Sequence, residues 1–181
     1  KTLFFGDTTV QELPEAEKLA HIAVRMACKA RRMGHEPRVA LLSYSTFGNP
    51  MREKSARIRD AVKVLDTMKV DFEYDGEMAA DVALDAELMS LYPFCRLSGP
   101  ANVLVMPALH TAHVASKLLQ ELSDGVTIGP ITMGLSRPAQ VVQMNATVSE
   151  ILNLAAIAAI EAIDERKGKV APLKKGKKAK G

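Results

Sequence analysis

The chain has 181 residues, 48% of them hydrophobic, which suffices for one substantial core and on length predicts one α/β domain. Its formal charge of +3 misleads, because residues 167–181 hold seven Lys and no acid, leaving 17 basic against 21 acidic side chains over residues 1–166. No apolar run approaches the roughly 20 residues that span a bilayer, no secretory leader pattern opens the chain, and Cys28 and Cys95 lack framework spacing, so the expectation is a cytoplasmic protein with both thiols buried.

In chain order, KTLFFGDTTV opens like a strand, as though a longer polypeptide precedes it. Pro14 suits a first helical turn, and Leu19, Ala23, Met26, Ala27 and Ala30 follow at helical spacing until Gly34 and Pro37, predicting a helix over 14–33. RVALLSYS (38–45) is a short apolar run between turn residues, the pattern of a strand covered on both faces. A loop TFGNP leads to a helix over 51–68, with Ile58, Val62 and Leu65 on one face. The alternation continues with strand VDFEY, loop DGEM, a helix near 78–90, strand NVLVMP, a helix near 110–122, strand VTIGPI and a last helix over 148–166. Strand, loop and helix repeated four times predict a mainly parallel sheet with helices on both faces, a three-layer α/β/α sandwich over 1–166. The tail 167–181 lacks core-forming residues beyond Val170 and Leu173 and is expected to be disordered.

Ligands of open parallel sheets bind beyond the carboxyl ends of the strands, so each strand-to-helix loop is a candidate. SYSTFGNP offers the hydroxyls of Ser43, Ser45 and Thr46, then Gly48, where backbone amides approach a polar ligand closely, although no Gly-Lys-Ser/Thr makes it a P-loop. His110 and His113 stand three apart without a nearby carboxylate or third His, which reads as exposed or capping histidines. Seven acids between Asp71 and Glu87 match no calcium loop and read as a solvated helix face, with Asp75 and Glu77 in the loop as exceptions. No Gly-x-Gly-x-x-Gly follows a strand and no Gly-x-Ser-x-Gly occurs, which argues against a dinucleotide site and a nucleophile elbow. The Lys-rich tail has no aromatic residue for stacking on bases, which argues against nucleic acid as a partner. The stretch GPITMGLSRPAQVVQMNATVSEILNLAA (129–156) has the glycines, prolines and small polar residues of a ligand-facing loop, yet no His, Cys, Asp or Glu before Glu150.

Taken in order, VALLSYSTFGNP, DFEYDGEMAADVALD, ANVLVMPALHTAHVASKLLQEL, GVTIGPITMGLSRPAQVV and ATVSEILNLAAIAAI resemble successive segments of the phosphotransacetylase (phosphate acetyltransferase) family. DTTVQELP, the Ser-Tyr-Ser-Thr-Phe-Gly-Asn loop and the last helix are more similar to the phosphotransacetylase-like domain at the carboxyl end of multi-domain NADP-dependent malic enzymes. The resemblance covers about residues 2–166 and implies the second lobe of a two-lobed, isocitrate/isopropylmalate dehydrogenase-like fold, plus the returning C-terminal helix. An upstream lobe, and malic-enzyme domains carrying NADP and a divalent metal, are implied outside this chain.

The family's catalytic Ser-Arg pair falls on Gln143 and Met144, and its acid on Glu150. Gln143 takes no proton and Met144 stabilises no phosphate, so acyl transfer between phosphate and CoA is expected to be lost. The ligand-binding set implied is Ser43, Ser45, Thr46, Gly48, Gly129, Pro130, Ser136 and Arg137, with no metal site. The resemblance implies acetyl-CoA as an allosteric effector of malic activity and a homo-oligomeric assembly. Two alternatives remain: an active acetyltransferase using Glu150 with Ser136 or Thr147, and a purely structural dimerisation domain built on the alanine-rich last helix.

Overall fold

The computed structural model describes residues 1–7 and 9–167, and the chain divides into two compact units, 1–124 and 125–181. The basic tail lies outside the described residues except Lys167, which ends the last helix.

The first unit is built on a four-stranded parallel sheet of β1 (Phe4–Gly6), β2 (Arg38–Leu42), β3 (Glu73–Met78) and β4 (Val103–Val105), in the order β1-β4-β2-β3. Val39 pairs with Val103 on one side and Tyr74 on the other, and Phe4 lies opposite Val103 from the edge. The central strands β2 and β4 read VALL and VLV and are buried throughout, as strands covered on both faces must be.

Successive side chains of a strand point to opposite faces, and two helical layers use the two sets. Ala40, Leu42, Leu104 and Met106 join one core cluster with Met78, Ala83, Met89 and Ala112, from β3 and the helices α3 (Ala80–Leu84), α4 (Ala86–Ser90) and α5 (Leu109–Leu122). The alternate set, Val39, Leu41, Val103 and Val105, is also fully buried. Helices α1 (Ala16–Arg32) and α2 (Glu53–Met68) pack against each other and against the strands. Helix α1 buries Leu19, Ala23, Met26, Ala27 and Ala30, a stripe at the spacing of one helical face. Gly34 ends it at φ +83°, which lets the His35 amide reach back to the Ala30 carbonyl at 3.0 Å.

Four expectations are corrected. The third strand does not stop at Tyr74 with DGEM as a loop; it runs Glu73–Met78, because the carboxylates of Asp75 and Glu77 find partners inside the fold. The single helix near 78–90 is two short ones, since the Asp85 side chain accepts from the amides of Glu87 and Leu88 and starts a new helix there. VTIGPI (126–131) is not a strand: Pro130 has no N–H to give to a ladder and Gly129 sits at φ +143°. Just beyond it the Gln140 side chain accepts from Thr132 N at 2.8 Å and donates to Thr132 O at 3.2 Å. Cys28 is exposed, lying off the inward stripe of α1, whereas Cys95 is half-buried and burial pushes its thiol up.

The second unit has the irregular segment 125–147 followed by α6 (Val148–Arg166). Among the described residues no helix is long and apolar enough to cross a membrane.

Candidate functional site

The loop that leaves β2 is fastened to β3 through one carboxylate. In the ladder, Leu41 pairs with Gly76 and Leu42 with Met78, so Glu77 is an extra residue bulged out of register. Bulges re-aim a side chain, and this one depends on Gly76 at φ +155°, where an added Cβ would lie 2.7 Å from the Leu41 carbonyl oxygen. Glu77 is fully buried. Its Oε1 accepts from Ser45 Oγ at 2.7 Å, Gly48 N at 3.1 Å and Arg59 Nη1 at 2.7 Å, while its main-chain oxygen accepts from Phe47 N at 2.8 Å. Its Oε2 has no hydrogen-bond partner among the described residues.

Arg59 comes from α2, where Ser55, Ile58 and Val62 form the inward face, and it also donates to Ser55 Oγ at 3.1 Å. A cation on that stripe supplies the counter-charge without which a buried carboxylate is costly. The remaining contacts close the loop on itself and tie it to the end of β3. Thr46 and Asn49 exchange backbone hydrogen bonds of 3.1 and 3.0 Å, Thr46 Oγ1 accepts from Ala79 N at 3.0 Å, and Ser43 N donates to Met78 O at 2.9 Å. Phe47 (φ +48°) and Gly48 (φ +86°) are both left-handed, a conformation common for Gly and uncommon for Phe.

Of the four loop residues proposed as ligand contacts, Ser45 and Thr46 are buried with their hydroxyls turned inward, and the Gly48 amide is already engaged. Ser43 is half-buried, 3.3 Å from Ser45 Oγ. These residues therefore shape the loop, and its outward groups are Tyr44 and Asn49, both exposed. A second network pins the loop before β4. Asp75 accepts from the amides of Arg96 and Gly76 at 2.7 and 2.9 Å, and Asp66 Oδ1 accepts from Tyr74 OH and Arg96 Nη1, each at 2.6 Å. The Tyr74 hydrogen bond, with help from Arg96, holds the Asp66 carboxyl below its ordinary value. Burial, then the bond to Asp66, pushes the Tyr74 hydroxyl up to about 12. His110 and His113 are both exposed on α5.

In the second unit, Gly129 (φ +143°) and Pro130 are half-buried. Ser136 and Arg137 are exposed, and Arg137 lines a shallow groove with Pro138, Ala162, Glu165 and Arg166. Gln143 and Met144 are exposed, and the Gln143 carbonyl accepts from Ala146 N at 3.0 Å. Glu150 closes a capping box at the start of α6: Thr147 N donates to Glu150 Oε2 at 2.7 Å, and Glu150 N donates to Thr147 Oγ1 at 3.3 Å. The one acid of this stretch is thereby occupied as a helix cap.

Residues 1–159 match the family model described as phosphate acetyl/butaryl transferase. The chain belongs to that family. A solved phosphotransacetylase from Streptococcus pyogenes superposes with a TM-score of 0.84 at 32% identity, over 88% of this chain and 49% of that one. The EutD phosphotransacetylase from Staphylococcus aureus gives 0.82 at 31%, over 87% and 49%. Among curated relatives, the NADP-dependent malic enzyme of Rhizobium meliloti (strain 1021) is 56% identical over 162 residues, covering 90% of this chain and 21% of the relative. The phosphate acetyltransferase of Clostridium acetobutylicum is 35% identical over 162 residues, covering 88% and 49%. The chain thus spans about a fifth of such malic enzymes and about half of the phosphate acetyltransferases.

Arg59 and Gln140 were missed by sequence reasoning, although Arg57 and Arg59 beside the apolar stripe of α2 signal inward acceptors nearby. The bulge that aims Glu77 inward leaves its trace in Asp-Gly-Glu, where only Gly meets the backbone requirement.

Proposed function

We propose that this chain is a non-catalytic, effector-binding member of the phosphotransacetylase family, taking acetyl-CoA and acting within a larger NADP-dependent malic enzyme, whose malate oxidation it lowers. The observation that carries the reading is the pair Gln143 and Met144 where catalytic relatives are expected to hold Ser and Arg. Loss of the guanidinium alone removes a charge-assisted contact to the transferring phosphoryl group, on the order of 3 kcal/mol in a preorganised site. Glu150 supports the same conclusion, since its carboxylate is committed to Thr147 and is poorly placed to serve as base. Arg137, exposed and without an ion pair among the described residues, remains as a cation for a CoA phosphate.

Acetyl-CoA lowers activity elsewhere only if it binds two states of the assembly with different affinity. The test is inhibition of malate oxidation by acetyl-CoA in the full polypeptide, wild type against Arg137→Ala. Inhibition that is weakened by Arg137→Ala supports the reading, and unchanged inhibition sinks Arg137's part in it.

A second reading, a face for a further copy of the chain, is favoured by α6. This helix is apolar on most sides and carries exposed Val148, Ile151, Leu152, Ile160 and Ile163. A helix apolar all round is normally covered. Sedimentation of wild type against Ile160→Glu measures whether the helix holds an oligomer together.

A further inference from the structure

Three of the chain's eight aromatic residues meet in one cluster beside the loop that leaves β2. Phe47 lies 5.4 Å from Tyr92 and 5.0 Å from Phe94, and Tyr92 lies 6.1 Å from Phe94, all in tilted or edge-to-face geometry. The cluster is rooted in the fold, because Phe47 packs on the core that contains Met89 and Leu97, and its backbone is tied to Glu77. It is also open to solvent: Phe94 is 64% exposed, and Leu91 and Met51 are exposed as well. The Met51 methyl group lies close to Gly48, which brings the start of α2 to the rim.

That segment is basic, with Arg52, Lys54, Arg57 and Arg59 against the single acid Glu53. Arg57 and Arg59 turn inward, onto the Pro107 carbonyl and Glu77. Arg52 and Lys54 are exposed and carry no ion pair among the described residues. Phe47 holds its place in a left-handed conformation that costs of the order of 1 kcal/mol, a cost retained where surrounding structure and use require it.

We propose that the Phe47–Tyr92–Phe94 cluster seats the flat base of a phosphorylated adenine nucleotide, with Arg52 and Lys54 facing its phosphates. Aromatic side chains accept a nucleobase by stacking, and exposed cations without partners supply charge complementary to phosphate. The inference rests on the reading of the chain as an acetyl-CoA binder, without Arg137's part in it, and assigns the adenosine end of acetyl-CoA to this surface.

Calorimetric titrations of wild type, Phe94→Ala and Arg52→Ala/Lys54→Ala, with acetyl-CoA and separately with adenosine bisphosphate, test it. The expected result is that Phe94→Ala weakens both ligands about tenfold, and that the double variant weakens both and flattens their salt dependence. Phe94 is exposed enough for its removal to leave the fold intact. Acetyl-CoA binding that Phe94→Ala leaves unchanged overturns the seat while the effector reading stands. Adenosine bisphosphate binding that depends on Phe94, without any acetyl-CoA binding, supports the seat and refutes the effector reading. Binding of neither ligand overturns both. A change in sedimentation on Phe94→Ala, with nucleotide binding unaltered, makes the patch a contact between copies and overturns the proposal.

Discussion

Replacing Arg59 with Met isolates the ion pair that holds the hydroxyl loop. In wild type the Arg59 guanidinium is 2.7 Å from Glu77 Oε1, with 23% of the Arg59 side chain exposed and none of Glu77. Arg59→Met keeps much of the aliphatic stem and leaves a buried carboxylate with two donors, Ser45 Oγ and Gly48 N. Removing one partner of a buried pair costs about 3–5 kcal/mol. The partial exposure of Arg59 and the two surviving donors put this case at the lower end, about 3 kcal/mol. Glu77→Gln in the same background removes the stranded charge, so the double variant is predicted to recover part of the loss, with a coupling of about 1–2 kcal/mol. Urea unfolding followed by far-ultraviolet circular dichroism reads all three variants. A cost for Arg59→Met within the roughly 0.5 kcal/mol of an ordinary surface substitution, or additive single and double variants, would refute the claim that this pair holds the loop.

Gly76→Ala places a Cβ against the Leu41 backbone at a φ that L residues rarely adopt, so a loss of about 2 kcal/mol or more is expected in the same unfolding assay. Tyr74 and Asp66 set opposite pH limits. The Tyr74 hydroxyl is raised from 10.0 to about 12, so its contribution is whole below pH 10 and is lost as pH rises through about 12; in Tyr74→Phe that alkaline loss should be absent from thermal melts. Asp66 is lowered from 3.8, so its contribution is present above that value and lost as pH falls through the depressed one. Since Asp66 and Arg96 are 42% and 51% exposed, Asp66→Asn should cost less than about 1 kcal/mol at neutral pH.

Much of the fold was legible because its signals are local. The apolar runs RVALLSYS (38–45) and NVLVMP (102–107) announce covered strands, which the structure ends earlier, at Arg38–Leu42 and Val103–Val105, and the apolar spacing of α1, α2 and α6 announces helices within two residues of their observed ends. The third strand was cut short because DGE reads as a turn. Only tertiary partners, Arg59 for Glu77 and the Arg96 amide for Asp75, make acids tolerable within it. VTIGPI has the composition of a strand, but Pro130 has no amide to donate to a ladder and Gly129 adopts φ +143°, so composition alone misleads there. A loop after the second strand is legible from TFGNP, yet whether Ser45 and Thr46 face outward or the interior depends on Glu77, whose bulge sets the direction. The aromatic cluster joins Phe47 to Tyr92 and Phe94 across more than forty residues, a convergence that only the sheet order brings about.

The central claim is ligand binding without chemistry. Its most direct test is a calorimetric titration of the chain with acetyl-CoA, run beside an assay for acetyl phosphate formation from acetyl-CoA and phosphate. The account predicts saturable binding with no acetyl phosphate formed; turnover, or the absence of binding, would contradict it.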